Sequence, residues 1–254
     1  GAKYLRRDEL QPFPSPPTQR TVGEVVARLK NKEEWSVQFA ALDDLRRLAA
    51  FAPAVLLAPG GSIGPVLDHA LELCESPRSA LARNGLRCLG ELFVAAGHLL
   101  DAKLEGVIFP ALRRAADTNH FIAEEADQAL CEVCHAAGVG RLIGALTSAA
   151  AHKSPGIRSK AIWCLAMVAQ RLGRKSSSCR EMPALMQIVT KAVADASPDV
   201  RSAASAAAIA LVVGDPGLMG RFASALPEGI DLASFDACDR RAIMRLHALR
   251  RGGG

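Results

Sequence analysis

Three short stretches hold residue types that could do chemistry. Gly60-Gly61-Ser62-Ile63-Gly64 fits G-x-S-x-G, the pattern in which a tight strand-to-helix turn lifts a serine nucleophile above a sheet. Cys131-Glu132-Val133-Cys134-His135 fits C-x-x-C-H, the spacing for covalent haem attachment, with ligand types that also suit zinc. Gly173-Arg174-Lys175-Ser176 holds the residue types of a phosphate-binding loop. Each fails on its surroundings. Pro53 to Pro59 is alanine- and leucine-rich and lies between helical stretches, so no strand feeds Ser62, which reads as a helix cap. Val133 sits in a column of core residues and no secretory signal opens the chain, so Cys131 and Cys134 read as small core side chains. The third stretch lacks the upstream glycine and the lysine order of a phosphate loop, and its continuation to Ser178 reads as a flexible connection. The six histidines are dispersed, and no paired carboxylates or dinucleotide fingerprint appear. The expectation is a chain with no catalytic residue, no metal and no cofactor: a binding module rather than an enzyme.

The elements that must carry any function are helical. Half of the 254 residues are hydrophobic and only 4% aromatic, with alanine and leucine dominant, a composition that favours helix over strand. Tyr4 is the only tyrosine, which leaves little aromatic surface for stacking single-stranded nucleic acid. The net charge of +5 is spread along the chain rather than gathered in a stripe. The longest apolar run, Ala203 to Val213, is well short of the roughly 20 residues a membrane span requires. Neither nucleic acid nor membrane is therefore an expected partner. Seven cysteines at irregular spacing suit reduced thiols and a cytosolic setting. The Gly-Ala start and the three closing glycines read as those of a piece cut from a longer protein.

An internal repeat organises the sequence. Val37, Leu81, Ile122, Ile157 and Val200 open successive copies. Four residues on come Ala41, Gly85, Ala126, Ala161 and Ala204; four further, Leu45, Leu89, Leu130, Leu165 and Ala208; three further, Leu48, Leu92, Val133, Val168 and Leu211. This is the spacing of one helix face, repeated every 44, 41, 35 and 43 residues. The small second column predicts close approach by a neighbouring helix. Ser76-Pro77, Ser154-Pro155 and Ser197-Pro198 read as helix starts, with serine as N-cap and proline at the first helical position. Gly97, Gly138 and Gly173 suit helix C-termini.

Second helices fill the intervals, at Ile63 to Cys74, Leu104 to Leu112, Val139 to Ala149, Leu185 to Val193 and Leu218 to Leu226. Two helices per period of about 40 residues is the HEAT and armadillo pattern. The predicted fold class is all-α, a HEAT-repeat solenoid of about five to six helix pairs. Its divisions are residues 1–20, an extended Pro-rich segment that either docks through Leu10 and Phe13 or is a disordered linker; 21–233, the repeat domain, opening on a helix capped by Thr21; and 234–254, a C-terminal capping helix and tail. The alanine-heavy fifth copy predicts loose packing.

The loops that lead into the repeated helices lie along one edge of such a fold. They are Asn31 to Trp35, Glu75 to Ser79, Asp117 to Ile122, His152 to Arg158 and Asp195 to Arg201. Trp35, two residues before the first core column, either faces solvent as a binding anchor or packs on the N-terminal segment.

These loops resemble those of TOG domains, the tubulin-binding HEAT arrays. The likeness rests on the first-loop tryptophan, on Asp117-Thr118-Asn119 followed by Phe121-Ile122, and on the basic fourth and fifth loops. Leu10-x-Pro12-Phe13-Pro14-x-Pro16 and Thr118 to Glu124 are similar to the crescerin group, the TOG array regulators of axonemal microtubules. The resemblance spans residues 8 to 215 and implies binding of curved αβ-tubulin and regulation of microtubule polymerisation. The first two or three loops would meet β-tubulin and the basic last loops α-tubulin. It implies Lys32, Trp35, Arg78, Ser79, Thr118, Asn119, Lys153, Arg158 and Arg201 as contact residues. It further implies a monomeric domain within a multi-TOG protein, acting in the cytoplasm and on the cytoskeleton, at the ciliary axoneme or basal body. Glu33 and Glu34 depart from the pattern, standing where cations would be expected. The alternative reading is a HEAT scaffold that holds a non-tubulin protein or peptide in its groove.

Overall fold

The structure is a computed structural model that describes residues 4–59 and 63–230. Among these residues it contains helices and no strand. The chain divides into two compact units, one ending at Ala137 and one beginning at Gly138.

The first unit contains α1 (Gln19–Leu29), α2 (Trp35–Phe51), the single turn α3 (Pro53–Leu56), α4 (Ile63–Cys74), α5 (Ser79–Ala96), α6 (Leu104–Ala115) and α7 (His120–Ala136). A 3-10 turn, Gly97–Lys103, joins α5 to α6. The antiparallel pairs are α1 with α2, α4 with α5 and α6 with α7, and they stack chiefly through α2, α5 and α7. The repeat columns are the reason. Ala41, Leu45, Leu48, Leu81, Leu89, Leu92, Ile122, Ala126, Leu130 and Val133 are all buried. A Cβ on Gly85 would meet the backbone N of Cys74 at 2.9 Å and the carbonyl oxygen of Ala70 at 3.2 Å. The small column thus sets how closely α4 lies on α5.

The second unit contains α8 (Val139–Ala150), α9 (Pro155–Leu172), α10 (Met182–Ala192), α11 (Pro198–Gly214) and α12 (Met219–Ala225). Here α8 pairs with α9 and α10 with α11, and α9 packs along α11. The alanine-heavy helix does not pack loosely. Ala203, Ala204, Ala206, Ala207 and Ala208 are fully buried, because short side chains let neighbouring helices close on α11 from several sides. No single helix among the described residues is long and apolar enough to cross a membrane.

Several local expectations need correction. The first helix starts at Gln19 with Thr18 as N-cap; Thr21 serves from the third position, where its hydroxyl accepts the Thr18 N–H at 3.0 Å. Ser154 and Ser197 are N-caps followed by proline, but α5 starts two residues beyond Pro77, with Arg78 as N-cap. Gly97 and Gly173 do end α5 and α9, at φ of 55° and 51°, where a side chain would be strained. Gly138 does not: α7 ends at Ala136 with Ala137 as its C-cap, and Gly138 is the N-cap of α8. Residues Gly173–Ser178 form a 3-10 turn with Ser176 buried, not a flexible connection. Cys131 and Cys134 are buried on α7 beside exposed His135, whose Nδ1 lies 2.7 Å from the Cys131 carbonyl oxygen. The predicted C-terminal helix and the Gly60–Ser62 cap lie outside the described residues.

Before α1 the chain forms a strap. It makes a 3-10 turn at Arg7–Glu9, buries Leu10 and leaves Phe13 half-buried. The strap meets a polar network that nothing in the sequence pattern announced. Arg46 of α2 is completely buried. Its guanidinium donates to Glu91 of α5 at 3.0 and 3.2 Å, to Asn84 at 3.1 Å, to Asp43 at 3.3 Å and to the Leu5 carbonyl at 2.9 Å. Burial pushes the Asp43 carboxyl above its ordinary value, against the opposing pull of Asn84 and Arg46.

Candidate functional site

The loops leading into α2, α5 and α7 are folded by one recurring device: a side chain two or three residues before the helix N-cap accepts the backbone N–H of that N-cap. In the first loop Asn31 Oδ1 accepts from Glu33 and Glu34 at 3.0 and 3.1 Å. In the second Ser76 Oγ accepts from Arg78 at 3.2 Å, and in the third Asp117 accepts from Asn119 at 2.9 Å. The same device recurs in the second unit, where His152 Nδ1 takes the Ser154 N–H at 3.1 Å and Asp195 takes the Ser197 N–H at 2.9 Å. These bonds satisfy donors that a helix start leaves unpaired and fix the loops without long side chains.

Trp35 is the first residue of α2 and is half-buried. Its ring stands edge-on to Phe39, with centroids 6.3 Å apart and planes at 82°. The guanidinium of Arg78, from the next loop, lies 5.7 Å from the indole centroid. Trp35 therefore packs on one side against the buried Phe39 of its own helix, with the Arg78 cation over its ring. An exposed cation–π contact of this kind contributes about 0.5–1 kcal/mol and orients both groups. Lys32 reaches across to Glu72 at 3.2 Å, Ser79 is exposed at the start of α5, and Arg113 pairs with Glu75. Of the four candidates on the first two loops, Trp35 and Arg78 are brought into contact.

The third loop presents Thr118 and Asn119, both exposed. Asn119 also has a local task, since its Oδ1 caps α7 by accepting from Phe121 and Ile122 at 3.2 and 3.4 Å. Beside it stands Phe121, 62% exposed, which lies outside the repeat columns, one residue before the core position Ile122. That one-residue offset, after an Asn N-cap, was the available signal.

In the second unit the three basic candidates separate by role. Lys153 is exposed. Arg158 is half-buried and engaged internally: it donates to both carboxylate oxygens of Asp195 at 2.8 and 3.0 Å, and to the carbonyls of His152 and Lys153 at 2.9 and 3.0 Å. These bonds hold the Asp195 carboxyl below its ordinary value and tie the fourth loop to the fifth. Arg201 is exposed and donates to the carbonyls of Asp195 and Ala196 at 2.8 and 2.9 Å. Among the described residues no group of three or more His, Cys, Asp or Glu is placed to hold a metal ion.

Paired helices whose loops gather on Trp35 and Arg78 invite comparison with known proteins. Residues 22–217 match the family described as CLASP N terminal. The chain belongs to this family. A curated relative, the TOG array regulator of axonemal microtubules protein 1 of Mus musculus, is 30% identical over 122 residues, 48% of this chain and 6% of the relative. The chain thus spans only a small part of that relative's length. A chain solved in work on microtubule plus-end tracking by XMAP215, CLIP-170 and EB1 superposes with a TM-score of 0.71 at 14% identity, over 92% of this chain and 95% of that one. A chain from work describing how crescerin uses a TOG domain array to regulate microtubules in the primary cilium gives 0.61 at 20% identity, over 86% and 88%. Within the CLASP N-terminal family, then, this member has the TOG-type, HEAT-repeat α-solenoid fold anticipated from the loops and repeat columns.

Proposed function

We propose that this chain is a tubulin-binding TOG domain that regulates microtubule polymerisation, in a parent protein acting at the ciliary axoneme. The observation that carries the reading is the Trp35–Arg78 pair, an aromatic and a cation from adjoining loops held against each other at the surface of the family fold. An aromatic fixed on one side by Phe39 loses little freedom on binding, which is what an anchor requires. The partner is αβ-tubulin, and the likeness to relatives named for axonemal and ciliary microtubules supports both the partner and the setting. In the second unit, exposed Lys153 and Arg201 supply cations suited to an acidic protein surface. Arg158 and Asn119 shape loops in this reading and do not lead the contact. The chain acts as a monomeric binding module, with no step of covalent chemistry.

Sedimentation velocity with soluble αβ-tubulin tests the reading. Wild type is expected to co-migrate with tubulin, and Trp35→Glu to lose the complex while keeping wild-type helicity and melting temperature. Absence of a wild-type complex at about tens of micromolar tubulin, a weak-binding regime, would reject the function. Unfolding of Trp35→Glu would make Trp35 a packing residue.

A further inference from the structure

Phe121 is the most exposed aromatic ring among the large hydrophobic side chains described, and it is not loose. The guanidinium of Arg83, from α5, lies 5.4 Å from its ring centroid. The same guanidinium lies 4.6 Å from the ring centroid of Tyr4, on the N-terminal strap. Arg83 is therefore shared between two rings, one from the strap and one from the third loop. It is also held by Glu125 of α7 at 3.4 Å, and Glu125 pairs with Arg87 at 2.7 Å. Arg87 and Arg46 each lie 5.9 Å from the Tyr4 centroid, so the strap's ring sits among three guanidinium groups. Tyr4 is largely desolvated there, and burial, with Glu125 next, pushes its phenol above the ordinary value.

We infer that Phe121 is the tubulin-facing anchor of the third loop, and that Tyr4 of the strap is a positioning residue that orients it through Arg83. The inference rests on the tubulin reading above and deepens it. The occupant is the same αβ-tubulin, because Phe121 stands two residues after Asn119, in the first turn of α7, continuous with the candidate contact residues Thr118 and Asn119. The physical argument is preorganisation. An exposed phenylalanine gains binding energy by burial against a partner, and it gains more when its rotamer is already fixed. Here a cation held by a carboxylate and by a second ring fixes it. Arg83 stacks on both rings as a planar guanidinium can, which a lysine would not reproduce.

The relation predicts non-additivity. Tubulin affinity is measured for wild type, Phe121→Ala, Tyr4→Ala, Tyr4→Phe and the double variant Tyr4→Ala/Phe121→Ala, with a thermal melt of each. Phe121→Ala is expected to weaken binding by about tenfold or more without moving the melt, since the ring is exposed. Tyr4→Ala is expected to weaken binding a few-fold, and Tyr4→Phe to restore it, because the ring and not the hydroxyl meets Arg83. On the Phe121→Ala background, Tyr4→Ala should cost nothing further in binding, although any loss in melting temperature from undocking the strap remains. Wild-type affinity in Phe121→Ala overturns the anchor. A Tyr4→Ala loss undiminished in the double variant overturns the relay. Failure of wild type itself to bind tubulin rejects the underlying function and this inference with it, and that result is distinguishable because the single variants are then not at issue.

Discussion

The two units of this chain are built from the same repeat and hold themselves together by different means. Residues 4–137 carry 14 Lys and Arg against 18 Asp and Glu, a net −4; residues 138–230 carry 11 against 5, a net +6. In the first unit opposite charges are drawn inside, with Arg46 buried on Glu91 and Glu125 gripping Arg83 and Arg87. In the second, stacking of α9 on α11 is made by alanine and aliphatic side chains, and the Arg158–Asp195 pair ties the loops. A HEAT pair needs only an apolar column of the right spacing. What surrounds the column is free to differ, and the chain uses that freedom to separate its charge. One unit presents aromatic rings steadied by cations, and the other exposed cations.

The largest test of the contrast is Arg46→Met. Removing one partner of a buried ion network strands Glu91 and costs about 3–5 kcal/mol. Hydrogen exchange resolved along the chain should show lost protection in the first unit with the second preserved; equal loss in both would mean that the two units unfold as one. Gly85→Ala comes next. Its new Cβ meets α4 backbone rather than a flexible side-chain end, so overpacking should cost about 1–3 kcal/mol, read by urea unfolding. Smaller still is the pH response of the second unit. Because Arg158 depresses the Asp195 carboxyl, its contribution is present above the unfolded value of about 4 and lost as pH falls through the lower folded value. The melting difference between wild type and Asp195→Asn should therefore close below about pH 4. The smallest effect is Lys153→Glu, expected to slow tubulin association a few-fold at low salt, with the difference fading as ionic strength rises.

Legibility in the sequence followed the range of the interaction. The columns through Ala41, Gly85, Ala126, Ala161 and Ala204 mark helix faces, because side-chain periodicity is local and burial obeys it. Exact helix starts were less legible. Before α5 the Ser76 hydroxyl accepts the Arg78 N–H, and the helix starts past Pro77 with Arg78 as its N-cap. Among the candidate contacts, Trp35 and Arg78 meet, Lys32 pairs with Glu72, and Arg158 is engaged by a carboxylate 37 residues away.

The sequence by itself determined the all-helical repeat and the loops that lead into its helices, since each depends on spacing within a few turns of helix. Tertiary structure alone decided that Arg46 would be buried, that Arg83 would join Tyr4 to Phe121, and that Arg158 would hold a loop. Those outcomes depend on which side chains meet from residues about 40 to 80 positions apart, and no period in the chain encodes a partner at that distance.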